Sequence, residues 1–231
     1  IFKEKLMKKK KSVVLLSGGL DSSVVLSIAV KKFDVHCISF NYGQRHRREL
    51  TFAKKQVKLQ KAKEHKIFKI DFFGGSSLTD DIDVPENRNV QNIPNKIPIT
   101  YVPARNTIFL SYALGYAEFL ECDDIFLGVN AIDYSGYPDC RPNFIKAFEN
   151  LANIATKKSI LGEKFKIHTP LIKMTKEKII LEGIKNNVDF KNTSSCYNPL
   201  NKMSCGKCDS CLLRKKGFER ALVKDSIKYR Y

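Results

Sequence analysis

The stretch "SGGLDSS" (Ser17–Ser23) carries the residue types needed to grip a phosphate. It follows an apolar run and opens an amphipathic one, so it reads as a strand-to-helix turn. Free backbone N–H groups and the helix dipole favour an anion at such a turn. Gly18 and Gly19 let the backbone approach closely, and Ser17, Ser22 and Ser23 add hydroxyl donors. Asp21 is discordant, because a carboxylate repels phosphate. It becomes useful if it helps to hold a magnesium ion that bridges to the phosphates. The loop lacks the lysine of a Walker-type P-loop, so it is not arranged for γ-phosphoryl transfer of that kind.

A second constellation lies near the end of the chain. In "CYNPLNKMSCGKCDSC", Cys196, Cys205, Cys208 and Cys211 follow one another with gaps of eight, two and two residues. Two successive Cys-x-x-Cys steps make compact turns whose thiolates converge, and the fourth cysteine closes a tetrahedron around zinc. Gly206 relieves the turn between two ligands. Four sulfur ligands leave no open position, so the site reads as one structural zinc per chain. Iron–sulfur ligation is the competing reading, because Cys-x-x-Cys-x-x-Cys also occurs in cluster proteins.

The elements that must position these residues follow from periodicity. Short β-branched or apolar runs predict strands at residues 12–16, 35–42, 65–72, 124–129 and 165–171. Amphipathic or apolar runs predict helices at residues 21–32, 47–62, 106–122, 142–156 and 175–187, the last with Thr175 as N-cap. The alternation predicts an α/β protein with a doubly wound parallel sheet. Ligands in such sheets sit outside the carboxyl ends of the strands. The loops beginning at Ser17, Asn41 and Asn130 should therefore share one cleft. Residues 74–100 are rich in Gly, Pro and Asn, and a loop of that length is usually functional, often a lid. Residues 7–190 read as the α/β domain and 191–231 as a small zinc-binding subdomain.

Composition sets the outer bounds. The 231 residues are 43% hydrophobic, enough for one full α/β core plus an appendage. Lys+Arg 41 against Asp+Glu 24 gives a net charge of +17, which suits polyanions. The excess is mostly lysine spread along the chain, however, as generic solvated faces would also give. tRNA binding is therefore not the favoured reading. The start "MKKKKSVVLL" has the basic head of a signal peptide, but Gly18, Gly19 and Asp21 break the apolar stretch that follows. No run approaches the ~18–20 apolar residues of a membrane span. An odd count of 7 cysteines argues against a disulfide framework. The reading is a soluble cytoplasmic protein, with residues before Met7 an upstream extension of open origin.

The loop "SGGLDSS" resembles the pyrophosphate loop of the N-type ATP pyrophosphatases, which grips the β- and γ-phosphates while a substrate oxygen attacks the α-phosphate. Four further stretches extend the resemblance: "FNYGQRHRRE" (Phe40–Glu49), "TYVPARNTIFLSYALGYAE" (Thr100–Glu118), "GVNAIDYSGYPDCRPNF" (Gly128–Phe144) and "TPLIKMTK" (Thr169–Lys176). With "CGKCDSCLLR" they make the chain similar, from Val13 to about Phe218, to the 7-cyano-7-deazaguanine synthases, the QueC-type enzymes of the queuosine pathway. The stretch "DYSGYPDCRP" is the most specific of them.

The resemblance implies an ATP-dependent C–N ligase that converts 7-carboxy-7-deazaguanine and ammonia to the nitrile through adenylated acid and amide. It implies ATP with magnesium as co-substrate, free small molecules rather than nucleic acid or membrane as partners, and a homodimer. Leu15, Leu16, Ser17, Gly18, Gly19, Leu20, Asp21, Ser22, Ser23, Val24 and Val25 are expected to bind or flank the nucleotide. Asp21, Ser22 and Arg105 are the expected catalytic set. Arg105 either neutralises phosphate or holds a buried turn. Asp133 or Asp139 can accept from the base edge, Tyr134 or Tyr137 can stack on the base, Ser135 lies between them, and Arg141 can meet the carboxylate. Gln44, Arg45 and His46 lie near the same cleft, with His46 a candidate proton shuttle. His36 reads as a strand residue, and His65 and His168 have no evident role. The alternatives are a tRNA-thiolating or lysidine-forming pyrophosphatase and a non-enzymatic zinc-ribbon RNA-binding module. The first would need an added RNA-binding domain or a catalytic cysteine pair, and the second leaves "SGGLDSS" unexplained.

Overall fold

The computed structural model describes residues 9–44, 48–71, 74–88, 97–132, 136–200 and 203–230. Its centre is a five-stranded sheet in the order β3-β2-β1-β4-β5, with every pairing parallel. The strands are β1 (Lys10–Leu15), β2 (Phe33–Asn41), β3 (Glu64–Lys69), β4 (Asp124–Phe126) and β5 (Lys166–His168). The helices are α1 (Leu20–Ala29), α2 (Arg48–Leu59), α3 (Arg105–Phe119), α4 (Pro142–Ala152), the single turn α5 (Lys157–Ile160), α6 (Lys176–Lys185) and α7 (Asp209–Arg220). Every predicted strand and helix forms. β4 and β5 are shorter than their apolar runs, because the chain leaves the sheet to build the cleft. α7 was not foreseen, since its cysteine and charged residues mask its apolar face.

Alternation along the strands divides the interior into two cores. Val13, Leu15, Ile38, Phe40, Ile125 and Leu127 face α3 and α4. Val14, Leu16, Val35, Cys37 and Phe126 face α1, α6 and α7. Both faces of the central strands are buried, which is why they read as unbroken apolar runs. Thr175 caps α6 as expected, accepting from Lys178 N at 3.4 Å. Among the described residues no helix is long and apolar enough to cross a membrane.

The tail after residue 190 is bound tightly to the α/β unit. Phe218 of α7 joins the core beside Val24, Ile179 and Ile180, and crosses Phe190 edge-on at 5.4 Å. A Cβ on Gly217 would lie 2.5 Å from Lys176 Cγ and 2.9 Å from Ile180 Cδ1, so α7 can lie this close to α6 only with glycine there. Buried Arg214 clamps Asp225 through Nε and Nη2 at 2.8 and 2.9 Å, and donates to Thr193 Oγ1 at 2.7 Å. The long loop is pinned to the same tail. Glu86 pairs with Cys208, Asn87 N donates to Lys207 O at 2.8 Å, and Arg88 grips the Asp209 carboxylate with both arms.

Candidate active site

Strand order reverses between β1 and β4, so the loops leaving them splay apart and open a crevice. A cavity of about 210 Å³ lies there. Its wall includes Ser17 after β1, Tyr42 and Gln44 after β2, and Asn130 after β4, the three loops expected to converge.

The phosphate loop forms one side. Gly19 is the extended N-cap of α1 and offers no side-chain cap, so the first-turn N–H groups of α1 face the cavity without intrahelical acceptors. Ser17 Oγ and Ser22 Oγ lie 2.9 Å apart, and Gly19 N donates to Ser17 Oγ at 3.2 Å. The two hydroxyls satisfy one another. Gly18 (φ +85°) has its missing side chain directed at α2, where a Cβ would meet Glu49 O at 2.2 Å. The loop therefore fits only as glycine and is pressed against the first turn of α2.

Within the expected nucleotide set, Leu15, Leu16, Ser17, Gly19, Leu20, Asp21 and Ser22 line the cavity. Gly18, Ser23, Val24 and Val25 do not line it. Val24 and Val25 are fully buried in the core beneath, and Ser23 Oγ donates back to Gly19 O at 2.8 Å, which shapes the turn. The apolar residues after the loop are the inward face of α1, and that role outweighs nucleotide contact.

Asp21 does not stand alone. Lys176 Nζ, from the first residue of α6, donates to both its carboxylate oxygens at 2.7 and 2.8 Å. Both side chains are largely buried, at 9% exposure for Lys176 and 15% for Asp21. Spacing in the loop gave no hint of this lysine; its one trace was the end of "TPLIKMTK". Fold supplies from a distant helix the cation that the loop itself lacks.

The opposite wall is aromatic. Phe40 and Phe109 stack at 4.0 Å and 8°, with Tyr42, Tyr137 and Tyr197 nearby on the lining. Tyr137 is buried, its hydroxyl 2.5 Å from Thr100 Oγ1. Arg105 opens α3 and reaches the cavity as expected, donating to Tyr42 OH at 3.4 Å. Glu49, unassigned in the sequence reading, lines the same wall. Burial pushes its carboxyl up to about 8, with Arg105 pulling the other way. Ser194, Ser195, Tyr197 and Ser210 reach the wall from the cysteine-rich tail. Ser194 N donates to Gly18 O at 3.0 Å, and Ser195 Oγ accepts from Leu20 N at 3.4 Å.

Three of the expected base-binding residues, Asp133, Tyr134 and Ser135, lie outside the described residues, as do Arg45 and His46. Asp139 stands directly behind the cavity wall, hydrogen-bonded to Asn106, which lines it. Its Oδ2 accepts from Asn106 N at 3.0 Å, and its carbonyl accepts from Asn106 Nδ2 at 3.1 Å. It caps α3, whose own N-cap, Ala104, is left-handed (φ 52°) and has no side-chain oxygen to give. Arg141 is the exposed N-cap of α4 and is not brought to the cavity. Asp139→Ala is expected to cost ~1–2 kcal/mol of stability, the range for a lost helix cap. Asp139→Asn, which keeps an acceptor, should cost less. A denaturation series on the two variants checks the order, and a rise in KM for the acid substrate without loss of stability would return Asp139 to base recognition.

His36 pairs with Glu64 at the sheet edge (Nδ1 to Oε2, 2.9 Å), and His65 meets Ser39 Oγ at 2.7 Å. His168 meets Asp124 Oδ1 at 2.5 Å. All three bridge strands.

The four tail cysteines converge as their spacing predicts. Their sulfurs lie within 4.8 Å of one another and all four residues are buried. A tetrahedron with metal–sulfur bonds of ~2.3 Å has sulfurs ~3.8 Å apart, and Cys205 and Cys211 stand at 3.9 Å. Backbone N–H groups point at the sulfurs: Cys205 N to Cys196 Sγ at 3.1 Å, Cys208 N to Cys205 Sγ at 3.3 Å, and Tyr197 N to Cys208 Sγ at 3.4 Å. Such donors stabilise negative sulfur, so the shell fits a cation held by thiolates. Cys37, Cys122 and Cys140 are buried singly, with burial raising each thiol above its ordinary range.

Comparison with known proteins agrees with this construction. Residues 11–222 match the family model described as queuosine biosynthesis protein QueC. A 7-cyano-7-deazaguanine synthase of Desulfatibacillum aliphaticivorans is 55% identical over 228 residues, covering 96% of this chain and 98% of that one. Those of Citrifermentans bemidjiense and Hydrogenovibrio crunogenus are 54% and 56% identical, each over 95% of this chain and over 98% and 96% of their own. The chain belongs to the QueC family of queuosine biosynthesis proteins.

Proposed function

We propose that this protein converts 7-carboxy-7-deazaguanine and ammonia to 7-cyano-7-deazaguanine with consumption of ATP, activating first the acid and then the amide. The observation that carries the reading is a helix N-terminus whose N-cap, Gly19, has no side chain, with its Gly-rich loop, facing an aromatic wall across one small cavity. Phosphates fit the first side and a flat heterocycle the second. A carboxylate is a poor electrophile, and joining it to AMP supplies a leaving group.

In this reading Ser17, Gly19 and Ser22 hold the phosphates, and Asp21 would hold a magnesium ion, which would supply positive charge beside them. Lys176 keeps the Asp21 carboxylate aimed and adds a positive charge beside the loop. Arg105 offsets negative charge developing on the far side. Tyr137 contributes to the aromatic wall, and base recognition is assigned to the segment with Asp133, Tyr134 and Ser135. The four cysteines would hold one structural zinc, preferred over an iron–sulfur cluster because their sulfurs lie within 4.8 Å of one another, the spacing of ligands around a single ion. The enzyme acts in the cytoplasm on free small molecules, as a homodimer, with tRNA playing no part and free ammonium as the nitrogen source.

Turnover assays with three substrates test the reading. The acid should give nitrile with ATP and ammonium. The amide should give nitrile with ATP and without added ammonium, and a tRNA transcript should not stimulate ATP consumption. A site whose polar groups are matched to one base discriminates strongly, because a wrong ligand leaves them unpaired. An enzyme that takes the acid but never the amide would instead be a simple amide-forming ligase.

A further inference from the structure

Among the described residues, the charged side chains on the cavity wall are Asp21, Glu49 and Arg105. Asp21 is committed to Lys176. Glu49 is different. It sits in the first turn of α2, whose backbone abuts Gly18 of the phosphate loop. It lies on the cavity wall, where the Arg105 guanidinium acts on its carboxyl. Burial of a carboxyl in such surroundings is costly, and among the described residues Arg105 is the cation that offsets it. Such a group, on the cavity wall beside the phosphate loop, points to a use during the reaction.

Among the described residues, the proposed chemistry still needs a proton acceptor. When ammonia displaces AMP from the adenylated acid, the C–N bond forms, the acyl C–O bond breaks with its electron pair leaving on AMP, and nitrogen must lose a proton. When the adenylated amide becomes a nitrile, an N–H bond breaks, its electrons form the third C–N bond, and the C–O pair again leaves on AMP. Both steps need a base at nitrogen next to a phosphate leaving group.

We propose that Glu49 is this base, taking the proton from nitrogen in both steps; the proposal rests on the nitrile-forming reading above. Its surroundings suit the task. Arg105 from α3 stays cationic and steadies the carboxylate once formed. Burial raises the phenols of Tyr42 and Tyr137 and the thiol of Cys140, so these neighbours stay neutral while Glu49 titrates. Asp21 keeps its lysine. Gln44 is occupied, its Oε1 accepting from Tyr42 N at 2.8 Å and its Nε2 donating to Phe40 O at 3.1 Å. With its carboxyl pushed up to about 8, Glu49 gains and loses a proton near neutral pH, where a general base is most effective.

The test compares wild type with Glu49→Gln in three measurements. Substrate-dependent exchange of labelled pyrophosphate into ATP reads activation alone. Product formation from the acid and from the amide reads the steps that need the base, and both are followed against pH. The variant should keep pyrophosphate exchange within a few-fold, and lose product formation by ~100-fold or more. The wild-type rate should rise through a limb near pH 8 that the variant lacks. Folding is checked by thermal melting. The folded state keeps this carboxyl protonated at pH values where the unfolded chain has ionised it, so the neutral variant should melt at or above the wild-type temperature. Unchanged product formation in the variant, or equal loss of exchange and product, overturns the assignment. So does a wild-type profile that is flat from roughly pH 6.5 to 9, whether or not the variant folds. Failure of wild type to make any nitrile would instead overturn the proposed function itself, and the base with it.

Discussion

Asp21→Ala is expected to lose ATP-dependent turnover by ~100-fold or more, the scale seen when one preorganised charge-stabilising group is removed, and to lose stability as well. The second half follows from Lys176. Taken by itself, the loop predicts a fold left intact, because a helix N-terminus survives the change. The structure shows a largely buried ammonium that would lose both of its bonds to Asp21. Breaking one partner of a buried pair costs ~3–5 kcal/mol, and the residual exposure of Asp21 favours the lower figure. The double variant Asp21→Ala with Lys176→Met removes both charges and should recover most of that stability, because no unpaired charge remains. It should recover no turnover. Denaturant midpoints and steady-state rates for the two single variants and the double complete the cycle. Wild-type-like turnover of Asp21→Ala at saturating magnesium would remove Asp21 from the catalytic machinery.

Removing the metal should have an equally large effect, and a broader one than the cysteine spacing alone suggests. Taken as an appendage, the four-cysteine site predicts that Cys208→Ser costs solubility and thermal stability before it touches chemistry. The observed connections predict that both fail together. Ser194 and Ser195, just before Cys196, brace the phosphate loop through Gly18 O and Leu20 N, and Tyr197 and Ser210 line the cavity. Cys208 caps α7, which carries Phe218 into the core and packs Gly217 against Lys176. Metal binding supplies folding energy to such a shell, on the order of 10 kcal/mol in small zinc peptides, comparable with the ~5–15 kcal/mol of a whole domain. Cys208→Ser, or wild type treated with chelator, should therefore lose nucleotide affinity over the same range in which its melting temperature falls. Nucleotide titration and melting at graded metal content make the comparison. Elemental analysis should return one zinc per chain; iron with sulfide, or a metal-free chain of full stability, would refute the site.

Local patterning determined most of the architecture and two of the chemical groups. Buried parallel strands must be apolar on both faces, so β1 and β2 stand out as unbroken runs, and the helices between them force parallel crossovers. Glycines at a strand-to-helix turn announce an anion site, because few other residues tolerate those backbone angles and approaches. Cysteines two apart must converge, because the intervening turn leaves them no other direction. Each of these signals is short-range, and each was legible for that reason.

What the sequence could not determine depends on residues far apart along the chain meeting in space. Asp139 reads in sequence as a candidate base-recognising carboxylate, and the structure adds that its Oδ2 caps α3, whose own N-cap, Ala104, has no side-chain oxygen. Val24 and Val25 adjoin the phosphate loop in sequence but turn into the core, because α1 must bury that face. Lys176 reaches Asp21 across 155 positions, and the tail serines reach the loop across a similar span. Glu49 reads in sequence as an ordinary acid in a helix's first turn. Its raised proton affinity comes from the low-dielectric wall that α2, α3 and the aromatic rings assemble around it. The cost of desolvating a charge is set by neighbours in three dimensions, so the tertiary structure alone decides which carboxyl is held ready to take a proton.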